Sequence, residues 1–284
     1  MTFRFGTVGS PVSTPKKPGG SVGGILRAAE LGLDALELGW VQSVRVSDKT
    51  CAAIRKAAEE RGIALSVHAP YFINLNAKDP AILESSRGRL MKAARAGYAA
   101  GATDIIFHAG GYMGDDPEAA FETIRSRLEE IAEELRSEQT DVVLRPETLG
   151  KSAQFGTLEE VVELSRAIEG VAPCIDFAHL HARAGDGSFN SYREFSDALS
   201  YVKKRLGERA LKTMHIHLSG IEYGPKGEKR HLVLRESDLA YTELLQALID
   251  AGAEGRILCE SPVLEEDALV LRKECLKLYK RKRA

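Results

Sequence analysis

The chain is poor in the features that mark several common classes of protein. It has only four cysteines, Cys51, Cys174, Cys259 and Cys275, and no two of them form a Cys-x-x-Cys pair. That spacing excludes a thiolate zinc finger and a thioredoxin-like redox motif. Cys174 and Cys259 lie in apolar, strand-like segments and read as buried thiols of a reducing compartment. No stretch has the length and apolarity of a membrane span, and the first residues, Met1-Thr-Phe-Arg-Phe-Gly6, do not form a signal peptide, so a cytoplasmic protein is expected. Charge of one sign is also lacking: 39 basic against 41 acidic residues leave a net charge of −2. This excludes a protein that grips nucleic acid mainly through bulk electrostatics, but not one that reaches phosphates through metal ions and a local basic rim. The basic residues at 277–284 read as a solvated helix end. Pro18-Gly-Gly-Ser-Val-Gly-Gly24 matches neither G-x-G-x-x-G nor the P-loop pattern, so a nucleotide-binding fingerprint is missing too.

What is present is an alternation of short apolar runs with helical patterns. Strands are expected at 3–7, 35–38, 64–67, 105–107, 142–144, 173–175, 213–216 and 257–259, each followed by a helix-length segment. Phe121, Ile124, Leu128, Ile131 and Leu135 recur at steps of three and four, the stripe of a helix that faces a core. Asp115-Asp-Pro117 marks the start of that helix, and Thr157-x-x-Glu160 and Ser191-x-x-Glu194 are capping boxes. Gly32, Gly62, Gly101 and Gly252 stand where helices give way to strands. Eight strand–helix units without a linker predict a single (β/α)₈ barrel over residues 1–284, an α/β fold with its active site at the C-terminal face of the strands.

The chemistry-bearing residues fall at that face. Of the seven histidines, His68, His108, His179, His181, His215 and His217 lie at expected strand ends and His231 in the loop after one; none falls in an expected helix. Glu147, Asp176 and Glu260 end or follow strands five, six and eight. Carboxylates brought together in one barrel mouth repel one another unless cations lie between them. A nitrogen and oxygen donor set without thiolate suits zinc, with manganese or iron as alternatives. Tyr71 stands three residues after His68 at the same strand mouth. Glu37 reads as a loop salt bridge, and Trp40, Gln42 and Arg45 occupy the loop after strand two. Lys151 and Arg183 read as solvated charges, with phosphate contact as the alternative.

Several ordered motifs resemble one known family, the endonuclease IV family of AP endonucleases. They are His68-Ala-Pro-Tyr-Phe-Ile-Asn-Leu75, Phe107-His-Ala-Gly110, Cys174-Ile-Asp-Phe-Ala-His179, Lys212-Thr-Met-His215 and Leu258-Cys-Glu260. Arg145-Pro-Glu-Thr-Leu-Gly150 stands in place of the family's Glu-Asn-Thr-x-Gly, and Lys229 stands where it has an aspartate before His231. The resemblance implies a TIM barrel holding two or three zinc ions that cleaves double-stranded DNA 5′ to an abasic site and leaves a 3′-hydroxyl. It implies His68, His108 and Glu147 around one ion and Glu147, Asp176, His215 and Glu260 around a second. It implies His179 and His231 around a third, completed by Glu228 in place of the missing aspartate or by water. Glu147 is also implied as the acceptor of the attacking water's proton, and Tyr71 as the ring beside the abasic nucleotide. His181 and His217 are expected to be supporting or structural. A monomer is expected, with no protein partner indicated. A metal-dependent sugar isomerase or epimerase of the same barrel superfamily is the alternative, and a non-cutting DNA-damage binding module is a third reading.

Overall fold

A computed structural model describes residues 3–283. Eight parallel strands form the central sheet: β1 (Phe3–Val8), β2 (Ala35–Gly39), β3 (Ala64–His68), β4 (Asp104–Phe107), β5 (Val143–Pro146), β6 (Cys174–Asp176), β7 (Met214–Leu218) and β10 (Gly255–Cys259). Between β7 and β10 lies an antiparallel hairpin, β8 (Gly220–Gly224) and β9 (Gly227–Leu232). The sheet runs in the order β5-β4-β3-β2-β1-β10-β7-β6. Its two edges, β5 and β6, are joined by the bridges Leu144↔Val171 and Glu147↔Cys174, which complete a TIM barrel. Each of the eight strands is followed by at least one helix.

The strands are buried on both faces, as β4 shows with all four of its residues inaccessible. The outer layer is built as the periodicity predicts: Ala120, Ile124, Leu128, Ile131 and Leu135 form the buried stripe of the helix Pro117–Ser137, while Phe121 sits at its edge, partly buried. Asp116 caps that helix through the Glu118 amide, and Thr157 and Glu160 make a reciprocal capping box. Gly62 ends the helix Asp48–Arg61 in the left-handed conformation, at φ 66°. A polar cluster occupies the barrel floor. Arg145 donates to Asp104 and to the Pro173 and Thr213 carbonyls, and Arg256 pairs with Asp104 at 2.9 Å. This arginine pair holds the Asp104 carboxyl far below its usual range although burial alone would raise it. Among the described residues no helix is long and apolar enough to cross a membrane.

The boundaries differ from the sequence expectation mainly at strand ends. β7 runs to Leu218, so His215 lies inside the strand and His217 nearer its end. His179 and His181 lie in a seven-residue helix, Phe177–Arg183, rather than in a loop. The hairpin carrying His231 was expected as loop.

Candidate metal centre

Each candidate side chain reaches the barrel mouth by a local device. His68 is the last residue of β3, and His108 follows β4 directly. Glu147 follows β5, its amide donating to the Phe107 carbonyl at 3.1 Å. Asp176 ends β6 and caps the helix that follows, one oxygen accepting from the His179 amide at 2.7 Å. That cap leaves its other oxygen, Oδ2, buried and without a hydrogen-bond partner among the described residues, 3.6 Å from His179 Nδ1. Glu260 follows β10, and His231 lies on β9.

Glu147 is the centre. Its Oε2 lies 3.3 Å from His68 Nε2 and 3.1 Å from His108 Nε2. Its Oε1 lies 3.0 Å from His217 Nδ1 and 3.5 Å from His179 Nδ1. Three overlapping donor groups result, each with its ligand atoms within 4.8 Å: His68, His108 and Glu147; Glu147, Asp176, His179 and Glu260; and His179, His231 and Glu260. Glu147 Oε2 and Asp176 Oδ2 are buried and have no hydrogen-bond partner among the described residues. Orphaned carboxylate oxygens amid imidazole nitrogens are costly without a cation, so this donor set fits divalent metal.

The histidines are pre-oriented. His68 Nδ1 donates to the Ala69 carbonyl and His179 Nδ1 to the Thr148 carbonyl, both at 2.9 Å. A carbonyl can only accept, so Nε2 of each ring is left as the free ligand atom. His231 Nδ1 is held by the Ser219 hydroxyl at 2.7 Å, and its Nε2 lies 3.6 Å from Glu260. Burial alone would lower the basicity of His68, His179 and His217, but the surrounding carboxylates raise the first two above the ordinary imidazole value, and Cys174 together with Glu260, Glu37 and Glu147 raises His217. His217, with His108 and His179, holds Glu147 well below the carboxylate range against its burial.

Two residues take places the sequence reading did not give them. His217, not His215, stands beside Glu147 and Glu260; its Nδ1 is 3.5 Å from the latter. Residues two apart on a strand share a face, so both point into the barrel, and the later one reaches the mouth. His215 sits one layer lower, its Nε2 2.9 Å from Glu37 Oε2, and burial pushes it down to about 4. Glu37 is no loop salt bridge. It is fully buried inside β2 and also accepts from the Ser66 hydroxyl at 2.7 Å. The usable signal for both is the period of two. His215 and His217 alternate with Met214 and Ile216, and Glu37 is a charge flanked by Leu36 and Leu38.

Glu228 reaches the site through a bulge. The β8–β9 register shifts between Glu222 and Tyr223, which pair with Arg230 and Glu228 and leave Lys229 without an opposite residue. Lys229 therefore turns outward to Glu222, while Glu228 Oε2 comes 3.6 Å from His179 Nε2. Tyr71 is 46% exposed, with its ring centroid 5.1 Å from that of His68 and 5.3 Å from that of His108; Phe72 beside it is 57% exposed. Other candidates are elsewhere. Trp40 is buried, and Arg183 donates to the Leu149, Lys151 and Gln154 carbonyls, tying a loop rather than facing outward. His181 bridges Ser188 and Asp238 away from the cluster.

Residues 25–280 match the model of a family described as xylose isomerase-like TIM barrel. An uncharacterized protein of Methanocaldococcus jannaschii is 40% identical over 269 residues, 95% of either chain. A probable endonuclease 4 of Staphylococcus carnosus is 30% identical over 188 residues; the match covers 63% of this chain and only 60% of that relative. Among solved structures, endonuclease IV from Thermus thermophilus superposes with a TM-score of 0.73 at 21% identity, over 98% of this chain and 99% of that one. A D-tagatose 3-epimerase-like protein superposes with a TM-score of 0.76 at 18% identity, over 99% and 100%. At such identities both superpositions speak for the fold alone.

Proposed function

The chain belongs to the xylose isomerase-like TIM barrel family, and on that premise we propose that it is a metal-dependent phosphodiesterase that cuts duplex DNA on the 5′ side of an abasic site. The observation that carries this reading is the gathering of four histidines and three carboxylates, Glu147 among them, in overlapping donor groups, with His217 beside Glu147. The 30% identity to a probable endonuclease 4 supports it. His68, His108 and Glu147 would hold one ion. Glu147, Asp176, His217 and Glu260 would hold a second, and His179, His231 and Glu228 a third. Zinc there, or manganese or iron, supplies Lewis acidity toward the phosphodiester and offsets charge that develops on its oxygens.

The chain's own residues do the rest. Glu147 accepts the proton of the water whose oxygen bonds to phosphorus. The P–O3′ bond breaks, the leaving 3′-oxygen takes up a proton from water to become a hydroxyl, and the phosphate stays on the abasic nucleotide. Tyr71 and Phe72, exposed at the rim, fill the space left in the duplex where the base is missing. A nucleotide without its base leaves the stack at least cost, so selection needs no base readout.

The test is incubation of the chain, loaded in turn with zinc, manganese or iron, with a duplex bearing one abasic site, beside a chelated control. A single nick 5′ to the lesion, with an extendable 3′-hydroxyl, is expected. Intact DNA with every metal rejects the reading. Because the fold is shared with a D-tagatose 3-epimerase-like protein, a ketose is offered in parallel. Its epimerisation, with one ion per chain and intact DNA, would put a sugar epimerase in place of the nuclease.

A further inference from the structure

We propose that Glu37 is a positioning residue: it fixes the orientation of His217 and, through that ring, one ion of the metal centre. The proposal rests on the metal-centre reading given above. Glu37 is the third residue of β2 and wholly inaccessible. A buried carboxylate in a strand interior is unfavourable unless compensated, and an apolar residue would serve the core better. Its partners among the described residues are not structural cations. They are the Ser66 hydroxyl at 2.7 Å, His215 Nε2 at 2.9 Å and His217 Nε2 at 3.1 Å. His217 therefore spans two carboxylate environments, with Nε2 toward Glu37 and Nδ1 toward Glu147 and Glu260.

The other oriented rings make the contrast. His68, His179 and His231 have their remaining nitrogen held by a neutral oxygen, from Ala69, Thr148 and Ser219. Of these four rings, His217 is the one whose nearest partner at that nitrogen is a carboxylate, at 3.1 Å. Without an ion, His217 Nδ1 itself donates to Glu147 Oε1 at 3.0 Å. An ion there would take the place of that proton, and Glu37, which can only accept, would keep the remaining proton on Nε2 and leave the Nδ1 lone pair for the centre. The negative charge also makes that lone pair a stronger donor. At present the Nε2 to Oε1 contact is short but not aligned as a hydrogen bond. His215 and Ser66 hold the carboxylate in place beneath the ring.

The test uses the full chain, stripped of metal and titrated with zinc in competition with a chromophoric chelator, and separately with cobalt(II), whose visible bands report ligand geometry. Glu37→Gln is expected to weaken one ion by about 10–100-fold, leave the others unchanged and shift the cobalt bands. Ser66→Ala, which keeps the charge and loosens the carboxylate, should weaken the same ion by about two- to tenfold. It decides the matter should Glu37→Gln not fold. Tight binding of every ion by both variants, with unchanged bands, overturns the role of Glu37 and leaves the centre standing. A parent chain that holds no ion removes the centre and this proposal together.

Discussion

At the scale of single residues, the site is an exercise in using both ends of a side chain. Asp176 caps a helix with one oxygen and presents the other, partnerless, to the cluster. His68 and His179 spend one nitrogen on a carbonyl and keep the other free. Asp176→Asn keeps an oxygen to serve as the cap but replaces one oxygen by an amide, and Glu260→Gln does the same without touching a cap. Each is expected to keep the fold and to depress strand incision by more than the about 10–100-fold that loss of a supporting partner costs. Incision kinetics beside circular dichroism check this, and near-parental rates in both variants would show the ligand assignment to be wrong. Most of these residues were legible because strand ends in a barrel collect catalytic groups and because the motifs are ordered. His217 and Glu37 were not, since reading them needs the true end of β7 and the inward parity of β2.

At the scale of elements, the β8–β9 hairpin shows how a single unpaired residue changes chemistry. Without the bulge, residues 229 and 231 would share a face and a lysine would enter a cation-binding site. The extra residue moves Glu228 inward and Lys229 outward. Gly150, after β5, makes room: a Cβ there would stand 2.7 Å from Glu228 Cβ and 3.2 Å from His179 Cδ2. Gly150→Ala should therefore displace the hairpin, at a cost of about 1–3 kcal/mol, and remove the ion assigned to His179 and His231. Glu228→Ala should remove that ion with less destabilisation, whereas Lys229→Ala should leave the metal count as it is. Elemental analysis and thermal melts of the three variants check the set; an unchanged count in Glu228→Ala would refute the inward placement. The sequence could not show this, because a bulge is a property of pairing and not of either strand alone.

For the whole molecule, the centre couples metal, protons and stability. Without metal, His68, His179 and His217 titrate above about 6.5, so their ion pairs stabilise fully below that pH and fade as pH rises through the raised native values. Glu37 and Glu147 titrate below their ordinary value of about 4.3, so their contribution is present above it and fades only in strong acid. The metal-free chain should therefore lose melting temperature from about pH 6.5 upward. Zinc competes with the histidine protons, so the rise in melting temperature on adding zinc should be larger at pH 8 than at pH 6. Calorimetry with zinc and with chelator checks both signs, and an equal rise at the two values would contradict the histidine ligation. Alternating strand and helix patterns, caps and strand-end motifs were enough to determine the barrel and the mouth at which its candidate donor groups gather, because they are local and periodic. Tertiary structure alone decided that Glu147 closes the barrel against Cys174, that His217 rather than His215 reaches the mouth, and that Glu37 lies beneath it. Those outcomes depend on register between strands distant in the chain, and a period of two turns a one-residue change of register into the opposite side of the sheet.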